Sequence, residues 1–150
     1  DSLNERLSKF VHNDLAPRNV MLPRGSFDDA VLIDLGLAAH AERSISSLLD
    51  ELDLKLRGVY QAPEVREGAR STPRGDMYSL GLMVLEVQLG SLPETTEMVT
   101  DEVKRLMFGT QDKMSQKVGR VLSGLLQLRS DQRPETWRLV TDQFSEVLDE

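Results

Sequence analysis

His12-Asn13-Asp14-Leu15-Ala16-Pro17-Arg18-Asn19 sets an acid and an amide five residues apart, on a loop that runs straight into the short apolar run Asn19-Val20-Met21-Leu22. Phosphoryl transfer needs such a pair. A carboxylate orients the attacking hydroxyl and accepts its proton, and a side-chain oxygen holds a magnesium ion on the phosphates. Working outward, Ala30-Val31-Leu32-Ile33 is a second short apolar run. The stretch between the two, Pro23-Arg24-Gly25-Ser26-Phe27-Asp28-Asp29, has the composition of a turn, so residues 19–33 are expected to form a hairpin. Asp34 follows its second strand directly.

Nearly everything else has helical spacing. Leu3, Leu7 and Phe10 mark the end of a short amphipathic helix, and Leu48, Leu49 and Leu52 mark at least one turn within a polar, mobile segment that breaks at Gly58. Between Asp76 and Leu89 the apolar residues Met77, Leu80, Leu82, Met83, Val84, Leu85 and Val87 cover almost every face, the pattern of a helix buried on all sides. Three more helices are predicted around Met98-Val99-Val103-Leu106, around Val118-Val121-Leu122-Leu125-Leu126 and around Trp137-Val140-Phe144-Val147-Leu148. The expected fold is therefore mainly α: a helical bundle around a buried central helix, with one small β-hairpin carrying the acid-bearing loops.

Composition narrows the function classes. At 150 residues and 39% hydrophobic content the chain fits one globular domain, 1–150. A net charge of −7 disfavours nucleic acid or an anionic membrane as the main partner. With no cysteine there is neither a disulfide framework nor a thiolate metal site, which makes an intracellular address the default. No apolar run reaches the roughly 18 residues of a membrane span. The chain opens at Asp1 and meets its first motif within a dozen residues, so it reads as part of something longer.

Five motifs, taken in order, resemble those of the protein-kinase family. HNDLAPRN at 12–19 is similar to the catalytic loop HRDLxxxN, and Ile33-Asp34-Leu35-Gly36 stands where the family places DFG. Tyr60-Gln61-Ala62-Pro63-Glu64 resembles the end of an activation segment. Asp76-Met77-Tyr78-Ser79-Leu80-Gly81 resembles the opening of the buried central helix, and Asp131-Gln132-Arg133-Pro134 the late D-x-x-R-P pattern. The resemblance covers nearly the whole chain and implies the C-terminal lobe of a protein kinase. It implies Asp14 as catalytic base and Asn19 and Asp34 as magnesium and cofactor ligands. Arg18 would be part of the catalytic loop, as in the D-L-A-x-R-N of many tyrosine kinases. His12, Gly36, Glu64, Asp76 and Arg133 would be structural, with Arg133 pairing Glu64 and Asp76 holding catalytic-loop N–H groups in addition to capping its helix. The implied cofactors are ATP and Mg2+ and the implied acceptor is a protein hydroxyl.

The departures carry information too. Asn13 replaces an Arg that grips a phosphorylated activation loop in many kinases, and an amide cannot make that bidentate charged contact. Ser44, Ser46 and Ser47 are candidate phosphorylation sites, but serines in a polar loop are usually just solvated, and Asn13 offers such a phosphate no partner. Ala16 stands where Ser/Thr kinases carry a Lys, and Tyr60 where tyrosine kinases usually carry Trp, which leaves the acceptor hydroxyl open. The Gly-rich loop and lysine of the N-terminal lobe are expected from a longer chain or in trans, and without them the isolated chain is expected to be inactive. Two other functions fit parts of the pattern. One is a pseudokinase-like binding module. The other is a small-molecule phosphotransferase of the aminoglycoside or choline kinase type, against which Ala62-Pro63-Glu64 and the 76–81 motif argue.

Overall fold

A computed structural model of the chain describes residues 10–26, 29–33 and 58–148. The expected helical ends around Leu3–Leu7 and Leu48–Leu52, together with Asp34, Leu35 and Gly36, lie outside these residues. The described part is mainly helical with one two-stranded antiparallel sheet.

The sheet pairs β1 (Val20–Met21) with β2 (Val31–Leu32) in the register Val20 to Leu32 and Met21 to Val31. Ile33 N extends the pairing by donating to Asn19 O at 2.9 Å. The turn closes at Gly25, whose φ of 70° suits a residue without Cβ, and Gly25 N donates to Leu22 O at 3.0 Å. The strands are shorter than the apolar runs suggested, and their side chains stand in the open: Met21, Val31 and Leu32 are 49%, 48% and 43% exposed.

Five helices follow: α1 (Pro63–Arg66), α2 (Pro73–Leu89), α3 (Thr96–Phe108), α4 (Lys113–Leu125) and α5 (Trp137–Leu148). Side-chain oxygens cap the first turns of the three middle ones: Thr72 accepts from Gly75 N, Thr95 from Met98 N and Asp112 from Ser115 N. α2 thus begins at Pro73, three residues before the expected start, and Thr72 rather than Asp76 is its N-cap. That correction frees the Asp76 carboxylate for other partners. α2 ends at Gly90, in the left-handed region at φ 78°.

Met77, Tyr78, Leu82 and Leu85 of α2 meet Val99, Val103 and Leu106 of α3, Val118, Val121, Leu122 and Leu125 of α4, and Val140 and Val147 of α5 in one core. α2 is the buried centre only over its first three turns. α4 runs across it at Gly81, where a Cβ would stand 2.9–3.0 Å from Leu125 and Leu126 side-chain atoms, whereas Val87 near its end is exposed. Leu122 and Leu125 are fully buried, so truncating either to Ala should cost about 2–5 kcal/mol.

Candidate active site

The loop ahead of β1 is built around Asp76. His12 N donates to Asp76 Oδ2 at 2.5 Å and Asn13 N donates to Asp76 Oδ1 at 2.9 Å, so one buried carboxylate fixes two successive peptide N–H groups. Burial pushes the Asp76 carboxyl above the usual carboxylate range, against the downward pull of those two donors.

His12 is buried, and backbone groups occupy both ring nitrogens. Nε2 lies 3.2 Å from Ile33 O and Nδ1 lies 3.4 Å from Asp14 N. A peptide N–H can only donate and a carbonyl can only accept, so Nδ1 is the acceptor and Nε2 carries the proton. With both nitrogens engaged by backbone groups, His12 braces the loop. It also ties the loop to Ile33, the residue before Asp34.

Asn13 has φ 67° and is the non-glycine residue in the left-handed region among the described residues. Asn tolerates that region better than most side chains. A backbone requirement therefore accounts for an amide at a position that the sequence pattern presented only as a lost arginine.

Pro17–Asn19 form one turn of 3-10 helix that turns Arg18 and Asn19 back onto Asp14. Asn19 Nδ2 donates to the Asp14 backbone oxygen at 2.6 Å and to Asp14 Oδ2 at 3.0 Å, and Arg18 Nη2 donates to Asp14 Oδ1. Asp14, Arg18 and Asn19 are thus brought together. No group of three or more His, Asp or Glu side chains among the described residues could hold a metal by itself.

One residue near the loop, Glu86, escaped the sequence reading, and with it the partner of Tyr60. Tyr60 OH donates to Glu86 Oε2 at 2.6 Å, and burial, then that bond and the Glu86 charge, push the phenol up to about 12. Arg18 acts on Tyr60 in the opposite sense, so the segment before α1 lies within reach of the Asp14 loop. Glu86 is the one acid in the second half of an otherwise apolar helix, and that interruption was its available signal.

The structure brings Arg133 and Glu64 together. Arg133 Nη1 donates to Glu64 Oε1 at 2.6 Å and Nη2 to Glu64 Oε2 at 2.8 Å. Nε donates to Gln127 O at 2.8 Å, Nη1 also to Arg74 O at 3.0 Å, and Nη2 also to Leu128 O at 3.2 Å. All five guanidinium N–H groups have acceptors, and the guanidinium carbon lies 4.8 Å from the centre of the Tyr78 ring, a cation–π distance. Burial alone would raise the Glu64 carboxyl, but the Arg133 bonds and charge hold it below its ordinary 4.5.

Residues 7–145 match the family model described as protein kinase domain. The chain belongs to the protein kinase domain family. Among its relatives are the serine/threonine-protein kinase pkn2 of Myxococcus xanthus, 33% identical over 85 residues, 55% of this chain and 10% of that protein. The DNA damage-responsive serine/threonine-protein kinase RqkA of Deinococcus radiodurans is 31% identical over 140 residues, 84% of this chain and 20% of that protein. The MAP kinase kinase MKK1/SSP32 of Saccharomyces cerevisiae is 28% identical over 95 residues, 63% of this chain and 17% of that protein. The chain thus spans a tenth to a fifth of the length of these relatives. No helix among the described residues is long and apolar enough to cross a membrane.

Proposed function

We propose that residues 1–150 form the C-terminal lobe of a protein kinase and that the complete protein transfers the γ-phosphoryl group of ATP to a protein hydroxyl. The observation that carries this reading is the Asp14 carboxylate, gripped by Arg18 and Asn19 on a loop whose backbone Asp76 fixes. Asp14 accepts the hydroxyl proton as the new P–O bond forms and the bond from the γ-phosphorus to its bridging oxygen breaks, ADP leaving with the electron pair. Arg18 and Asn19 hold the carboxylate in the orientation this requires, which is where proximity contributes to rate. The Asn19 side-chain oxygen and the Asp34 carboxylate would hold Mg2+, which when bound neutralises charge on the phosphates. These all-oxygen donors match what magnesium takes, and substrate phosphates complete such a coordination shell.

The N-terminal lobe, from a longer chain or in trans, packs on the hairpin face where Met21, Val31 and Leu32 stand exposed. Without it two charge-assisted contacts to phosphate are missing. At about 1.5–3 kcal/mol each, their loss weakens ATP binding by about a hundredfold or more. The same exposed face favours a second reading, a binding module that uses the hairpin to hold a partner without turnover.

The experiment joins a protein-kinase N-terminal lobe ahead of Asp1 and follows phosphate transfer from radiolabelled ATP to a mixed peptide library. Incorporation that appears only with the added lobe, and is lost in Asp14→Asn, is expected. Transfer by the unjoined chain at micromolar ATP would contradict the lobe assignment. No transfer by the joined protein, once it is shown to be folded, would replace the enzyme with the binding module.

A further inference from the structure

On the side of α3 remote from its capped start, a groove of about 470 Å³ lies between that helix and the chain leaving α4. One wall is a single face of α3, Thr100, Val103, Lys104 and Met107, spaced i, i+3, i+4 and i+7, and the other includes Leu126 and Leu128. Leu128 is 53% exposed, a large apolar side chain open to water. The volume lies within the range of small-molecule sites, roughly 300–1,000 Å³. Seven residues along α3 give the wall a length of only about 10 Å, enough for a small ligand and short for a docked helix.

Its charge is unusual for this chain. The overall net charge is −7, yet the groove is lined by Lys104 and Arg129 and by no acid. By contrast, the grooves beside Glu94 and beside Glu146 each carry a carboxylate. Both cations have acidic neighbours. Asp101 lies 3.8 Å from Lys104, and Asp131 takes Nε and Nη2 of Arg129, leaving Nη1. These pairs are open to water, and such pairs are worth at most about 1 kcal/mol, so an incoming anion can displace or join them.

We propose that this groove is a binding site for a small amphipathic organic anion, its apolar body against Val103, Met107, Leu126 and Leu128 and its acid group at Lys104 and Arg129. Occupancy is coupled to the start of α1. The carbonyls of Gln127 and Leu128, in the groove wall, accept from Arg133, which grips Glu64 at the start of α1. A ligand that orders this wall therefore stabilises the Arg133–Glu64 clamp.

The test uses 1-anilinonaphthalene-8-sulfonate, an aromatic body with one sulfonate, titrated into the 150-residue chain carrying 13C-methyl methionine. The Met107 resonance should shift saturably while those of Met21, Met77 and Met98 stay in place. Thr100→Trp, which fills the groove from an exposed helical position, should abolish the shift, and Lys104→Glu should weaken binding roughly tenfold. A Glu64 carboxyl resonance that moves with the same saturation curve is the readout of the coupling. Equal shifts at all methionines, or a titration unchanged by Thr100→Trp, would overturn the site. So would a Met107 shift produced by an acidic amphipathic peptide but not by the sulfonate, which would make the groove a protein-docking surface.

Discussion

Arg133→Ala removes a side chain that has no exposure at all, while its carboxylate partner Glu64 keeps 25% of its side-chain surface open. That asymmetry decides where the cost falls. The Glu64 carboxylate can turn toward water once the guanidinium is gone, so it contributes toward the low end of what breaking a buried pair costs. The carbonyls of Gln127, Leu128 and Arg74 have no such freedom, and each loses a charged donor. Lost contacts of this kind run at about 1–3 kcal/mol apiece. The sum, with partial relief by water, is about 3–5 kcal/mol, or roughly 6–20 °C in melting temperature for a chain of this size. Arg133→Lys keeps the charge but offers a point donor to acceptors set out for a planar fork, and should recover less than half of the loss. Thermal unfolding followed through Trp137 fluorescence over a series of pH values gives both. The acid limb of the same experiment is a second check. Glu64 titrates below its ordinary 4.5 in the folded chain, so its contribution is complete above about pH 4.5 and declines as pH falls through the lower folded value. In Arg133→Ala that part of the acid slope should disappear. A melting temperature within 2 °C of the parent, or an unchanged acid slope, would refute the reasoning.

Three further outcomes are expected. Asp76→Ala orphans the His12 and Asn13 N–H groups and should cost about 2–4 kcal/mol while exposing residues 12–14 to fast amide exchange, as measured by hydrogen–deuterium mass spectrometry. Asn13→Gly should be close to neutral in thermal unfolding, whereas Asn13→Val should cost about 1–2 kcal/mol because φ at this site is 67°. Asn13→Arg should show a similar penalty. Gly119→Ala places a Cβ 2.9 Å from Met107 N and 3.0 Å from Leu106 Cβ; with backbone on the other side, calorimetry should register about 1–3 kcal/mol of lost stability.

Much of the architecture was legible because helical period and capping chemistry agree. The spacing of Val99, Val103 and Leu106, and that of Val118, Val121, Leu122 and Leu125, marks faces that do point into the core. The start of α2 was misplaced because Asp76 is itself a good capping residue and draws attention away from Thr72-Pro73, an equally good opening. The motif pairs Asp76 with residues 12 and 13, and Glu64 with Arg133, could be read only through a family resemblance. Their partners lie 63 to 69 positions apart, far beyond any periodicity. Tyr60–Glu86 was missed for the same reason: a single acid in an apolar helix says that a partner exists without saying where. The positive φ of Asn13 was hidden because Asn is common in ordinary turns as well.

The span of those clamps has a consequence for how the chain comes into being. As the polypeptide is made from its amino end, the Asp14 loop precedes the Asp76 carboxylate that shapes it by some sixty residues, and α1 precedes Arg133 by nearly seventy. Until those later residues appear, the peptide N–H groups of His12 and Asn13 have only water to bind. The helices, whose hydrogen bonds are local, can form as they are made, whereas the loop at 12–14 waits for Asp76 and the start of α1 waits for Arg133.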